Sequence, residues 1–159
     1  MDVIGVVDTM FARVDMGAVV VAELESCPGY GERFAVVRRT VPGFKDLAVA
    51  CKRLVEQEGC QILVALGMPG RAEIDQVCAH EASQGIMQAQ LMTSTHILEV
   101  FVHEAEEEDP SKLVAVCEDR ARKHARNAYW LLYEPEQLTV RAGRGVRQGY
   151  ADAGPIAAR

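Results

Sequence analysis

The sequence predicts an α/β fold: a flavodoxin-like three-layer sandwich with a four-stranded parallel sheet in order 2-1-3-4, flanked by helices. Three observations carry that prediction. Four short apolar runs, rich in Val, Ile and Leu, alternate with segments of helical spacing, the pattern of βαβ units joined by right-handed crossovers. The runs are nearly continuous in apolar residues, as strands covered on both faces must be. Glycine and proline mark the junctions between them.

In order, residues 3–7 (Val-Ile-Gly-Val-Val) read as the first strand, and a helix follows over about 15–26. Thr9 and Asp15 are candidate caps for that helix, and Pro28-Gly29-Tyr30-Gly31 ends it. Residues 34–37 are the second strand. Pro42 and Gly43 shape the turn that follows, and a helix runs from about 45 to 58, stopped at Gly59. Residues 61–66 form the third strand, ended by Gly67-Met68-Pro69-Gly70. Helical spacing resumes over 75–93, with Val77, Ala82, Ile86, Ala89 and Met92 on one face. Residues 97–102 are the fourth strand, 112–132 the last long helix, and Pro135 opens a tail. The whole of 1–159 is expected to be a single domain, with 135–159 as its C-terminal tail.

Composition narrows the function classes. The 159 residues are 49% hydrophobic and 25% charged, ordinary globular values, and the net charge of −6 argues against a nucleic-acid surface. No apolar run approaches the length of a membrane span, and Met1-Asp2 leads into a strand with no secretory signature, so no membrane role is expected. Five cysteines without CxxC spacing read as free thiols in a reducing cytoplasm. Cys51, Cys78 and Cys117 fall within helical patterns, where cysteine serves as a small hydrophobe. The third helix carries Ala79, Ala82, Ser83, Gly85 and Ala89. Such small residues admit a close neighbour, either this chain's own sheet or a second copy; oligomerisation is the favoured expectation.

In doubly wound folds ligands sit beyond the carboxyl ends of the strands, so the loops over 8–15, 40–46, 67–75 and 103–109 matter most. In the first, Phe11 is either core or a stacking plate for a flat ligand, and Arg13 adds a charge beside it. In the second, the helix opening after Pro42-Gly43 leaves backbone N–H groups free for a polyol or a heterocycle. The third lacks the Gly-Lys-Ser/Thr of a phosphate loop. His80 and Glu81 are adjacent on a helix and so face different ways, which makes them a poor metal pair. His103-Glu104 ends the fourth strand ahead of an acidic run, and histidine there suits proton transfer. Lys123, His124 and Arg126 form a basic face, with structural ion pairing as the expectation. The stretch Arg141-Ala142-Gly143-Arg144-Gly145-Val146-Arg147-Gln148-Gly149 follows no strand and has GxGxxxG spacing, so it is no dinucleotide fingerprint. It reads as an ordered tail that clamps a neighbour or a ligand edge.

Taken together, Val7-Asp8-Thr9, Phe11-Ala12-Arg13-Val14-Asp15-Met16, Thr40-Val41-Pro42-Gly43, Lys45-Asp46-Leu47, Ala65-Leu66-Gly67-Met68-Pro69-Gly70, Val77-Cys78-Ala79-His80-Glu81-Ala82-Ser83 and Glu99-Val100-Phe101-Val102-His103-Glu104 resemble the archaeal, pentameric type of riboflavin synthase, related to the lumazine synthases. The tail pairs Ala142-Gly143 and Arg147-Gln148-Gly149 extend the resemblance over almost the whole chain.

The resemblance implies dismutation of two 6,7-dimethyl-8-ribityllumazine molecules, one giving a four-carbon unit to the other, to riboflavin and 5-amino-6-ribitylamino-pyrimidinedione. No organic cofactor is implied, because one substrate is both donor and acceptor; a supporting Mg2+ is compatible with the family, although no carboxylate cluster has clear ligand spacing. Partners implied are the ribityllumazine and further copies of the chain, most simply a homopentamer with sites between subunits. By matching positions, Thr9, Phe11 and Arg13, then Gly43, Phe44, Lys45 and Asp46, then Met68 and Gly70 are expected to bind substrate. His103 and Glu104 are the expected proton-transfer residues, with His80 and Glu81 behind them; no metal ligand is expected. The alternative is a lumazine synthase, which condenses the pyrimidinedione with a four-carbon ketose phosphate and needs a phosphate cradle. Here the loop after the third strand is short, and Arg71 is its one cation.

Overall fold

A computed structural model describes residues 1–157. Its strands are β1 (Asp2–Thr9), β2 (Phe34–Val41), β3 (Cys60–Gly67) and β4 (Ile97–Phe101). They form one parallel sheet in the order β2-β1-β3-β4. The helices are α1 (Met16–Glu25), α2 (Leu47–Glu58), α3 (Glu73–Thr93), α4 (Pro110–Tyr133) and the short α5 (Glu136–Thr139). The α/β class and the strand order agree with the sequence prediction.

Alternation along the strands splits the apolar residues between two faces. Ile4, Val6, Ile62, Val64 and Val100 pack on one side with Val20 and Leu24 of α1 and Ala121, Ala125 and Ala128 of α4. Val7, Leu63, Ala65 and Ile97 pack on the other with Leu47, Cys51 and Leu54 of α2 and Ala82, Ile86 and Ala89 of α3. Each fully buried Leu, Ile or Val contributes about 1.5–3 kcal/mol to folding. The register between β1 and β3 shifts at Val3/Ile4, where the Val3 N–H donates to Gln61 Oε1 at 2.6 Å.

Several boundaries differ from the sequence expectation, each for a physical reason. β2 extends to Val41 rather than stopping at Val37, because an edge strand can carry charge: Arg38 pairs with Asp8 and Asp15, and Arg39 with Glu58. The helix expected at 45 begins as a 3-10 turn over Phe44–Asp46 before α2. α4 starts two residues early at Pro110, where Asp109 accepts from the Ser111 and Lys112 N–H groups. On α3 the buried stripe is Ala79, Ala82, Ile86 and Ala89, whereas Val77 and Met92 are exposed. The small residues of α3 are used within the chain: a Cβ on Gly85 would lie 3.2 Å from the Ala48 Cβ of α2. Asp15 caps α1 by accepting from the Ala18 N–H at 3.0 Å, but Thr9 is the last residue of β1 and caps nothing.

Cys51 and Cys117 are buried, and burial pushes their thiols up to about 12 and about 11; Cys78 is half-buried. Among the described residues no helix is long and apolar enough to cross a membrane.

Candidate active site

Two of the hollows at the carboxyl ends of the strands lie on opposite sides of the sheet. The first, about 230 Å3, is lined by Phe11, Gly43, Phe44, Lys45 and Asp46 together with Asp75 and Cys78 of α3. The second, about 300 Å3, is lined by Arg13, Val14, Met68, Arg71, Glu104, Glu107, Glu108, Pro110, Leu113 and Val114. Of the expected site residues, Phe11, Gly43, Phe44, Lys45 and Asp46 line the first hollow and Arg13, Met68 and Glu104 the second, whereas Thr9, Gly70, His80, Glu81 and His103 line neither.

An aromatic chain builds the first hollow. Phe11 packs edge-on against Phe44 with centroids 5.8 Å apart, and Phe44 against Phe101 at 5.4 Å. Phe44 is buried in the α2/α3 core, while Phe11 is about half exposed (49%) and presents ring surface to the outside. Gly67, at the end of β3, makes room for this stack: a Cβ there would meet Phe44 Cε1 at 2.5 Å and Phe101 Cε1 at 3.0 Å. Thr9 is 5% exposed, and its hydroxyl has no hydrogen-bond partner among the described residues. A buried hydroxyl without a partner costs on the order of 1–3 kcal/mol, so it is a natural point for a ligand to bond.

The β2 loop is self-ordered. Gly43 N–H donates to Asp46 Oδ2 at 3.2 Å, so the carboxylate expected to face a ligand first caps its own turn. Lys45 Nζ lies 2.7 Å from Glu81 Oε2 of α3, across the mouth. The Lys45 hydrogen bond holds the Glu81 carboxyl below the usual range, and Glu81 holds the ammonium above its own. His80, its neighbour, is exposed and lies 3.4 Å from Gln84 through ring and amide nitrogens. Gly70 is buried with Asp75 so close that a Cβ would strike the carboxylate.

On the other side the His103–Glu104 turn is held from several directions. The Val102 N–H donates to Gly67 O at 3.1 Å and the Glu104 N–H to Pro69 O at 2.9 Å, tying the β4 end to the β3 loop. Arg13 Nη1 reaches Glu104 Oε1 at 3.3 Å, and Arg71 donates to Glu108 Oε1 at 2.9 Å and to the Glu104 carbonyl at 3.1 Å. Met68, beneath, is buried with the α1/α4 core. The His103 N–H donates to Glu106 Oε1 at 3.1 Å. Burial would push Glu106 up, but Arg120, the His103 N–H and the Tyr150 hydroxyl together hold its carboxyl below the usual range.

Four contributors lay outside the sequence prediction. Asp75 and Cys78 line the first hollow beside Glu81, and their three-residue spacing along α3 is the signal that marks one face. Glu99 of β4 is half-buried and accepts from Ser83 Oγ at 2.7 Å; burial pushes its carboxyl up, partly offset by Ser83 and His103. Arg120, inside a helix that reads as structural, proves to hold the end of β4. The basic face of α4 is structural as expected: Lys123 pairs with Asp119, Arg126 with Glu23, and His124 Nδ1 lies 2.9 Å from the Arg120 carbonyl. Among the described residues no group of three or more His, Cys, Asp or Glu side chains gathers with metal-binding geometry.

A parallel sheet in this order, with an aromatic mouth and a polar turn at its carboxyl edge, defines an α/β protein with a small-molecule site. The family model described as 6,7-dimethyl-8-ribityllumazine synthase matches residues 3–134. Riboflavin synthase of Methanothermobacter thermautotrophicus is 56% identical over 96% of this chain and 98% of that protein. Riboflavin synthases of Aeropyrum pernix and Archaeoglobus fulgidus are 48% and 43% identical, each over 96% of this chain and 97% of theirs. The chain belongs to the 6,7-dimethyl-8-ribityllumazine synthase family and stands beside its archaeal riboflavin synthases.

Proposed function

We propose that this protein is a riboflavin synthase: it dismutates two 6,7-dimethyl-8-ribityllumazine molecules into riboflavin and 5-amino-6-ribitylamino-pyrimidinedione by transfer of a four-carbon unit. The observation that carries this reading is kinship of 43–56% identity, over nearly the full length, with proteins named riboflavin synthase. The mouth supports it against the lumazine synthase alternative that the family model's name brings in. Arg13, Lys45 and Arg71, the cations of these loops, each face a carboxylate: Glu104, Glu81 and Glu108. A phosphate-bearing ketose needs an unspent cationic cradle; a neutral ribityllumazine does not.

In this reading Phe11 stacks on a lumazine ring, with Phe44 fixing its angle from below. Thr9, the Gly43–Asp46 turn and the Lys45–Glu81 pair bond ring oxygens and ribityl hydroxyls. Arg13, Met68 and Gly70 shape the mouth toward the turn. His103 and Glu104 move the proton of the acidic ring methyl group, with His80 and Glu81 in reserve. Holding two reactants in near-attack geometry supplies on the order of 7–11 kcal/mol of the barrier reduction. No organic cofactor takes part, and a supporting Mg2+ is tested by adding chelator to the assay.

The working unit is proposed to be a homo-oligomer, a pentamer by the resemblance, with sites between subunits and a cytoplasmic location. Exposed Ile74, Val77, Met87 and Leu91 on α3, together with Met10, form apolar surface that suits a second copy. Incubation with dimethyl-ribityllumazine alone tests the reaction. Flavin fluorescence without a second substrate is the expected result; turnover only when the pyrimidinedione and a ketose phosphate are supplied would make it a lumazine synthase.

A further inference from the structure

The tail beyond α5 is built onto α4 as a strap. Gly149 N–H donates to Asp119 Oδ2 at 2.7 Å, Arg120 Nε to Gln148 O at 3.3 Å, and Lys123 Nζ to Arg147 O at 3.1 Å. Asp119, Arg120 and Lys123 thus grip three successive residues. Gly149 has φ +89°, and a Cβ on it would come within 3.0 Å of the Arg120 guanidinium, so glycine is required twice over. The strap closes on itself through Ala153 N–H to Gly145 O at 2.9 Å and Arg147 N–H to Asp152 Oδ1 at 2.9 Å. Its grip places the Tyr150 hydroxyl 3.0 Å from Glu106 Oε2.

Glu106 is the hub. It receives two bonds from Arg120, at 2.9 and 2.8 Å, and its Oε1 also accepts the His103 N–H. The same Arg120 donates to the Phe101 carbonyl at 3.1 Å. A continuous hydrogen-bonded line therefore runs from the tail, through Tyr150 and Glu106, to the backbone of His103. We propose that the C-terminal strap is a positioning element of the catalytic turn: Tyr150 and Arg120, acting through Glu106, set the orientation of His103 and Glu104. This rests on the role proposed for those two residues in lumazine dismutation. Tyr150 and Arg120 touch no reacting atom; they act through the turn.

Tyr150→Phe removes one hydroxyl and keeps the ring, and Tyr150 lies at the surface, so the variant folds. The lost bond is to a charged acceptor, and small misplacements of a catalytic group slow turnover steeply; kcat is expected to fall roughly 3- to 10-fold with KM within about twofold. Loss of a donor to Glu106 raises its carboxyl, so the acid limb of the kcat profile moves to higher pH. Gly149→Ala, which lifts the strap, acts in the same direction and more strongly, while Ile156→Ala at the far end of the tail leaves kcat unchanged. The His103 backbone amide resonance should shift in Tyr150→Phe irrespective of turnover. Failure of the wild-type protein to make riboflavin would sink the function and leave that spectroscopic result standing. Wild-type kcat and pH profile in both strap variants, or an unmoved His103 amide, overturns the strap's role.

Discussion

The two sides of the carboxyl edge are built on different principles. The α2/α3 side is open: its aromatic plate is half exposed, and its Lys45–Glu81 pair stands in solvent with side chains 63% and 50% accessible. The α4 side is pinned: Arg120 and Glu106 are only 14% and 23% accessible, and the His103 turn is tied to the β3 loop, to α4 and to the tail. A groove that must take in two flat, flexible-tailed substrates gains from exposed surface that can adapt. A turn proposed to place a proton donor or acceptor gains from over-determination. Under the proposed function, binding falls to the open region and proton transfer to the pinned one.

The largest effect is expected at the residue where the groove meets the core. Phe44→Ala should cost about 3–5 kcal/mol, because it empties the buried ring position between Phe11 and Phe101. Chemical denaturation measures it, and a loss under 1 kcal/mol would mean the ring is no anchor. Next comes the pinned side. Glu106→Ala takes the carboxylate from Arg120 and leaves it only the Phe101 and Gln148 carbonyls, which should cost about 1–3 kcal/mol, with kcat falling alongside. The pH dependence has a definite sign. The Glu106 carboxyl is held below its ordinary 4.5, so its contribution is complete above that pH and is lost as pH falls through the lowered value. Glu106→Gln should flatten that acid-side decline in stability. The smallest stability effect belongs to the open side. Phe11→Ala should leave stability within about 1 kcal/mol of wild type, since the ring is half exposed, yet raise KM roughly tenfold through lost stacking. Equal losses of stability from Phe11→Ala and Glu106→Ala would erase the distinction drawn between the two sides.

Much of the fold was legible because buried parallel strands announce themselves: 61–66 and 97–102 are apolar runs bounded by Gly and polar residues. The misjudged boundary of β2 came from Arg38 and Arg39, whose charges read as loop until their partners across the sheet and on α2 were visible. Helix α3 misled for the opposite reason. Its exposed Val77 and Met92 look like core, and one chain alone leaves them uncovered. At the site, loop position singled out Phe11, Lys45 and His103. The hidden part was long-range: Lys45 finds Glu81, Arg120 finds Glu106, and Tyr150 arrives from 44 residues beyond Glu106. Local spacing carries no information about such pairings, nor about Phe44, which lines the first hollow and also lies in the core because Gly67 admits its ring.

Titration of the assembled protein with an unreactive ribityllumazine analogue puts the paired-substrate reading to its sharpest trial. Two analogue molecules bound per site is the expected stoichiometry. Saturation at a single molecule per site would contradict it.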